Sequence, residues 1–395
     1  MRVLVVNAGS SSLKLRVLDS SDKVTGTADL PAPRGAADAA AMESALASLG
    51  DADAVGYRIV HGGTAFTAPV RIDDSVLARL RALTDLAPLH QPKSLAAVAA
   101  VQRVLPGVPG VACFDTAFHA TIPAAAATYA LPREWRQRWT LRRYGFHGLS
   151  HSYAARRAAE LTGGGRTVTC HLGAGASLAA VRDGVSVDTT MGFTPLEGLV
   201  MATRSGSVDP GLVLWLADHA GTPVAELAAT LEHRSGLLGL AGTADMQEVV
   251  AGAAAGLPDA RLALDVYTHR LRAGIAAMAA ALGGLDVLVF TGGVGENSPV
   301  VRSQAAAGLG FLGVRLDAGH NEADGYAVGD PAGGHPATGH PADGGPAAGD
   351  PAAGSSAADR EIGDPGAPVR SFVIAAREDI EIAGQVRAVL ATHEH

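Results

Sequence analysis

A short anion-friendly turn stands at the head of the chain. The apolar run Val3–Val6 leads straight into Asn7-Ala8-Gly9-Ser10-Ser11-Ser12, and Lys14 follows. Turns of Gly and Ser leave backbone N–H groups free to face an anion. The hydroxyls of Ser10 and Ser12 add donors, Lys14 adds charge, and the Asn7 amide can reach a metal or its water shell. An ordinary hairpin fits the same residues. A second Gly-rich turn, Leu172-Gly173-Ala174-Gly175, follows His171, and a third, Thr291–Asn297, carries Gly293, Val294, Gly295, Glu296 and Asn297. Arg58 sits inside the apolar run Gly56–Val60. That placement is costly unless an anion or a carboxylate meets it, so a substrate contact and a structural ion pair both remain open. Asp115 follows the apolar run Val111–Phe114, at the end of a strand where open α/β sheets place their sites. Tyr144–His151 holds His147 and His151 four apart. No acid stands in a zinc-protease arrangement, and a place for His147 beside a phosphate fits better. Met191–Asp209 is dense in polar and special residues, among them Pro195 and Arg204, with little apolar periodicity. It reads as an ordered functional loop, against the alternative of a plain connection. Arginines, histidines, a lysine, an Asn, an Asp and three Gly-rich turns are what phosphoryl transfer asks of a protein: positioning, Mg²⁺ and positive charge around the moving group. There is no Walker A sequence and no Ser-His-Asp order.

Helical patterns alternate with short apolar runs, so the elements that position these residues form an α/β fold. Residues 36–49, 74–83, Ser150–Leu161 (with Ser150 as a cap), Val208–Ala220 and Ala260–Leu282 read as helices, and Arg377–Leu390 as a closing helix or a turn leading into one. Val55–Val60, Val111–Phe114 and Val287–Phe290 read as strands. Thr167–His171 and Ser177–Val181 flank the second turn as Val3–Val6 and Leu13–Val17 flank the first, which implies a duplicated fold with a nucleotide cleft between its halves. The chain has 395 residues and 48% hydrophobic content, enough for two cored domains. Its net charge of −8 argues against nucleic acid as the main partner. Cys113 and Cys170 lie in apolar runs and read as buried thiols. No leader is seen before Met1-Arg2, and no apolar run approaches the ~20 residues that span a bilayer. A soluble, cytoplasmic protein with no membrane partner is therefore expected. From Gly329 to Ala353 a Gly-X-Pro-Ala-X pentad repeats five times. Such composition supports no packed core, so about 325–368 is expected to be a disordered Gly/Pro/Ala-rich insertion.

Across Val5–Lys14, Gly56–Gly63, Leu86–Pro92, Phe114–Pro123, Tyr144–His151, Cys170–Ser177, Met191–Pro210, Phe290–Arg302 and Glu378–Ala383 the chain resembles the acetate kinase family. That family belongs to the actin, sugar kinase and Hsp70 ATPase superfamily. The resemblance implies duplicated ribonuclease-H-like (actin-like) domains. Residues 1–119 would form one, completed by 380–395, and residues 120–379 the other. It implies reversible phosphoryl transfer between ATP and acetate, giving acetyl phosphate and ADP, with Mg²⁺ (or Mn²⁺) and a homodimer. Asn7 and Glu378 would hold the metal. Ser10, Ser12 and Lys14 would line the phosphate site. Arg58, Arg204 and His147 would bind the reacting groups, and Asp115 would be the family's proton donor or acceptor. An acetate nucleophile is already ionised at neutral pH, so orientation of an arginine or a metal-bound water suits Asp115 better. Val60, Leu89, Phe146 and Pro195 would form the methyl pocket. His171, Leu172, Gly173, Ala174, Gly175, Asp245, Met246, Gln247 and Gly293–Asn297 would contact the nucleotide. Ala174 replaces the family's usual Asn, Gln247 its Arg and Ser207 its Asp. Against the family pattern each change would reduce nucleotide affinity or alter nucleotide choice, and none falls on Asn7, Arg58, Asp115, His147, Arg204 or Glu378. A propionate kinase is the nearest alternative, and a non-catalytic actin-like nucleotide switch a more distant one.

Overall fold

The computed structural model describes residues 1–9, 12–32, 38–87, 90–323 and 359–392. Ser10, Leu89 and the pentad repeat lie outside the described residues. Twelve strands among them form two six-stranded sheets. In the first, β1 (Val3–Ala8), β2 (Ser12–Leu18), β3 (Val24–Pro31), β4 (Ala54–Ile59), β5 (Val70–Arg71) and β6 (Gly110–Phe114) take the order β3-β2-β1-β4-β6-β5. In the second, β7 (Arg166–Leu172), β8 (Ala176–Arg182), β9 (Val185–Thr189), β10 (Val287–Thr291), β11 (Arg360–Glu361) and β12 (Arg370–Val373) take the order β11-β12-β10-β7-β8-β9. The two orders repeat one another. Each sheet has a hairpin at one end, then three mutually parallel strands (β1, β4, β6; β7, β10, β12), then a short antiparallel edge. The duplication expected from the two Gly-rich hairpins is thus present in the strand order.

By compactness the chain divides into two units. One comprises Met1–Gly164, Ala179–Pro195 and Ala376–His395, the other Gly165–Leu178 and Leu196–Ala375. In the first unit the parallel strands are buried on both faces, and side chains alternate between two cores. Leu4, Val6, Val55, Tyr57, Ile59, Ala112 and Phe114 enter one. Val3, Val5, Ala54, Val111 and Cys113 enter the other, against Ile382, Ala383, Val386 and Leu390 of the C-terminal helix Glu378–Ala391. In the second unit the long helix Pro258–Leu282 buries one stripe, from Ala260 through Tyr267 and Ile275 to Leu282. Both cysteines are buried free thiols. Among the described residues no helix is long and apolar enough to cross a membrane.

Three expectations need correction. Ser150 is not at the cap position: the helix starts earlier and spans Gly148–Thr162, with His147 at the N-cap position and Ser150 buried inside its first turn. Thr291–Asn297 is not a turn but strand end plus a short helix, Gly292–Asn297. Arg360–Glu361 pairs antiparallel with β12, and Ile362 is fully buried, so 359–368 belongs to the second sheet and not to a loose insertion. Arg360, Glu361 and Ile362 are able to pair and pack, and the Gly/Pro-rich residues that follow are held by the backbone bonds from Ile362 and Gly363 N–H to Ser371 O.

Candidate active site

Strand parity builds the polar cluster of the first unit. Odd residues of β1, even residues of β4 and odd residues of β6 face the C-terminal helix. Continuing that alternation to the strand ends puts Asn7, Arg58 and Asp115 on the same face, at the C-terminal ends of adjacent parallel strands. This is where ligands bind in α/β sheets. The C-terminal helix adds Glu378 in its first turn, where a carboxylate also complements the helix dipole.

The four side chains meet. Arg58 Nη2 donates to Asp115 Oδ2 at 2.7 Å, and Arg58 Nε donates to Oδ1 and Oδ2, each at 3.1 Å. Arg58 Nη1 donates to Asn7 Oδ1 at 3.1 Å, and Asn7 Nδ2 donates to Glu378 Oε2 at 3.1 Å. Glu378 Oε2 lies 3.8 Å from Arg58 Nε. Asp115 is 1% exposed, whereas the Arg58 and Glu378 side chains each keep 17%. Burial pushes the Asp115 carboxyl above its ordinary range, Arg58 opposes this and Glu378 adds to it. For Arg58 burial favours loss of the proton, but Asp115 and Glu378 overcome it, so the guanidinium is held as a cation. Both readings of Arg58 made from sequence are therefore satisfied: it has a buried carboxylate partner and still reaches the surface.

The neighbouring turns are tied to this cluster by backbone. Gly9 N–H donates to Ser12 O at 2.8 Å, closing the first hairpin, and Lys14 stands directly across from Asn7 in the β1/β2 register. Gly148 N–H donates to Asp115 O at 2.8 Å, which sets His147 one residue from that strand end. A Cβ at Gly148 would collide with the same carbonyl, so only glycine permits the approach. His147 adopts a left-handed backbone (φ 55°), a strained choice for a non-glycine residue. Tyr144 and Gly145 N–H groups both donate to Gly192 O, at 3.0 and 3.3 Å, drawing Phe146 toward the segment that ends at Pro195. Phe146 is 1% and Val60 6% exposed.

Two histidines, given no role in the sequence reading, brace this wall. His61 is fully buried, accepts from Gly63 N–H through Nδ1 at 2.8 Å, and packs edge-on against Tyr144 (4.5 Å) and Phe146 (5.5 Å). His119 bridges Ser186 Oγ (2.8 Å) and Phe146 O (3.0 Å). A carbonyl only accepts, so His119 Nε2 carries the proton. Burial holds each ring at a pKa of about 4, hence neutral. Their signal lay in the sequence, within Gly56–Gly63 and four residues after Asp115, but nothing there distinguished a wall from a ligand.

The second unit gathers the other Gly-rich segments. The turn after β7 closes by Gly173 N–H to Gly175 O at 3.0 Å, and Ala202 N–H donates to Ala174 O at 3.1 Å, which brings the loop of Arg204 alongside. His171 pairs with Thr291 in the β7/β10 register, so the short helix Gly292–Asn297 begins beside it. Asn297 Nδ2 donates to Gly293 O, and Glu296 Oε1 accepts from Gly292 N–H, both at 2.9 Å. Fully buried Arg302 donates to the carbonyls of Gly295 and Glu296 at 2.8 Å and locks this segment. Asp245 caps the helix Met246–Ala254 by accepting from Gln247 N–H at 2.8 Å. Leu172 and Met246 turn their side chains into the core, which leaves backbone as their only ligand-facing part; Ala174 and Gln247 are exposed.

The family model of the acetokinase family matches residues 34–330. The acetate kinase of Deinococcus deserti is 42% identical over 425 aligned residues, covering 99% of this chain and 98% of that protein. The acetate kinase of Nostoc punctiforme is 50% identical over 69% of each chain. Among solved structures, Porphyromonas gingivalis acetate kinase superposes with a TM-score of 0.82 at 33% identity, and a Francisella tularensis propionate kinase with 0.84 at 31%. Each covers 98% of this chain and 99% of the other.

Proposed function

The chain belongs to the acetokinase family, and from that premise we propose how its residues divide the work of an ATP-dependent kinase acting on acetate. The observation that carries the reading is the Asn7–Arg58–Asp115–Glu378 cluster, in which one cation is clamped yet left partly open to solvent. Arg58 binds the acyl carboxylate and the charge that grows on the transferring phosphoryl group. Asp115 aims Arg58. All its described side-chain contacts go to that guanidinium, and acetate has no proton to surrender at neutral pH. Val60, Phe146, Pro195 and Leu89 enclose the methyl group, with His61 behind Phe146. His147 and Arg204 bind phosphoryl oxygens. Ser10, Ser12, Lys14, His171, Gly173–Gly175, Asp245–Gln247 and Gly293–Asn297 bind the nucleotide.

Magnesium suits the donor set. Among the described residues Glu378 Oε1 accepts no hydrogen bond, and the Asn7 amide oxygen, which accepts one from Arg58, keeps a second lone pair. Mg²⁺ is commonly held by one or two carboxylates plus phosphates and water, not by an all-protein cage. When bound it would supply positive charge that neutralises the phosphates. Asn7 and Glu378 would hold it. A cytoplasmic homodimer belongs to the same proposal, as do duplicated halves at 1–119 with 380–395 and at 120–379. The test is steady-state hydroxamate formation from acetate, propionate and ATP with Mg²⁺ or Mn²⁺. Acetate should give the higher kcat/KM. One methylene is worth only ~1–3 kcal/mol, so propionate should also react. ATP binding without acetate-dependent turnover would refute the proposal and leave a nucleotide switch.

A further inference from the structure

The first unit holds a second polar recess that the acyl and metal roles do not use. It encloses about 50 Å³, room for a few heavy atoms. Phe66 and Tyr144 give it apolar walls, and Thr64, Thr67, Thr116 and Arg142 its polar lining. Phe66 is itself fixed by stacking on Phe114 (5.2 Å, 13° between planes). His119 also lines it, as a neutral wall with both ring nitrogens engaged. Arg142 is half-buried, and its Nε donates to Arg143 O at 3.2 Å. Its two Nη groups have no hydrogen bond and no carboxylate partner among the described residues, and no acid lines the recess. Thr116 Oγ1 accepts from Gly62 N–H at 3.0 Å, which leaves its own proton free to donate inward.

Arg142 is a half-buried cation that lies 5.9 Å from the Tyr144 ring and has no carboxylate partner among the described residues, so an anion entering the recess would meet an uncompensated charge. The planar guanidinium fork matches a carboxylate. One positive charge balances a monoanion, and the aromatic walls accept a short alkyl tail. We propose that this recess binds a small monocarboxylate of two or three carbons through Arg142 Nη and the Thr116 hydroxyl. Tyr144 is a wall of the recess and also packs against His61, which backs Phe146, so the ligand would press on the proposed acyl pocket. The binding assignment itself does not rest on that pocket.

Equilibrium dialysis of the full chain with radiolabelled acetate tests this. Wild type should bind two equivalents. Arg142→Gln should weaken one of them roughly tenfold or more, since a charge-assisted hydrogen bond is lost. Ala120→Leu, which fills the recess without altering charge, should remove the same equivalent. It decides the matter if Arg142→Gln does not fold. Arg204→Gln should instead remove the acyl-site equivalent, so failure of the acyl reading shows separately. A single equivalent in wild type, insensitive to Arg142→Gln and Ala120→Leu, overturns the proposal. Displacement of the Arg142-dependent equivalent by inorganic phosphate more readily than by propionate overturns the monocarboxylate assignment.

Discussion

Replacing Asp115 separates positioning from proton transfer. In Asp115→Asn one oxygen still accepts from Arg58, but an NH₂ now faces the guanidinium where Oδ2 took bonds at 2.7 and 3.1 Å. Two charge-assisted contacts, each worth about 1.5–3 kcal/mol, are lost or reversed. Arg58 is then held by the remaining oxygen and by Asn7, each at 3.1 Å, and more loosely by Glu378 at 3.8 Å. A displacement of about 1 Å in such a group costs roughly 10²-fold in rate, so kcat should fall by about that factor in Asn. In Asp115→Glu the carboxylate can still take a proton, but the extra methylene pushes Arg58 off its mark in a site that is 1% exposed. Glu should therefore do no better than Asn. Asp115→Ala should be the worst, because it strands a buried cation at about 3–5 kcal/mol. The assay is hydroxamate formation at saturating ATP, with thermal melts confirming that each variant folds. Glu near wild type with Asn as inactive as Ala would refute the positioning argument and restore Asp115 as a base.

Other outcomes follow from the same geometry. A Cβ at Gly56 would collide with the Ile382 and Val386 methyl groups of the C-terminal helix, so Gly56→Ala should cost about 1–3 kcal/mol in urea unfolding and lower activity by shifting Glu378. His61 and His119 have folded pKa values of about 4 against 6.5 for a free ring. Their contribution is whole above pH ~6.5 and is lost as pH falls toward 4, at most about 3 kcal/mol each. His61→Phe should roughly halve the fall in urea midpoint between those pH values, and an unchanged fall would contradict the buried neutral assignment. Ala174 is exposed on the turn after β7, so Ala174→Asn meets no steric limit and should lower the KM for ATP by roughly two- to tenfold, the worth of one hydrogen bond. An unchanged KM would show that this turn does not touch the nucleotide.

Local pattern carried much of this protein. Apolar runs marked β1, β4 and β6 as strands, and the two-residue period of a strand then puts Asn7, Arg58 and Asp115 on one face once the strands are set side by side. The repeated strand–Gly-turn–strand motif determined the duplication, and the Pro/Gly pentads marked a segment unable to build a core. Other features escaped a linear reading. Asn7 and Glu378 are 371 positions apart. Only the packing of the C-terminal helix on β1, β4 and β6 decides that they touch. Thr291–Asn297 looked like a turn because glycines suit turns, yet contact with the end of β7 and the Arg302 clamp make it helical. His61 and His119 are polar by sequence, and only burial makes them neutral wall residues. Nothing in the sequence singles out Arg142. Tertiary structure gave it a recess and no counter-ion, because charge pairing depends on which side chains the folded chain brings within a few ångströms of one another.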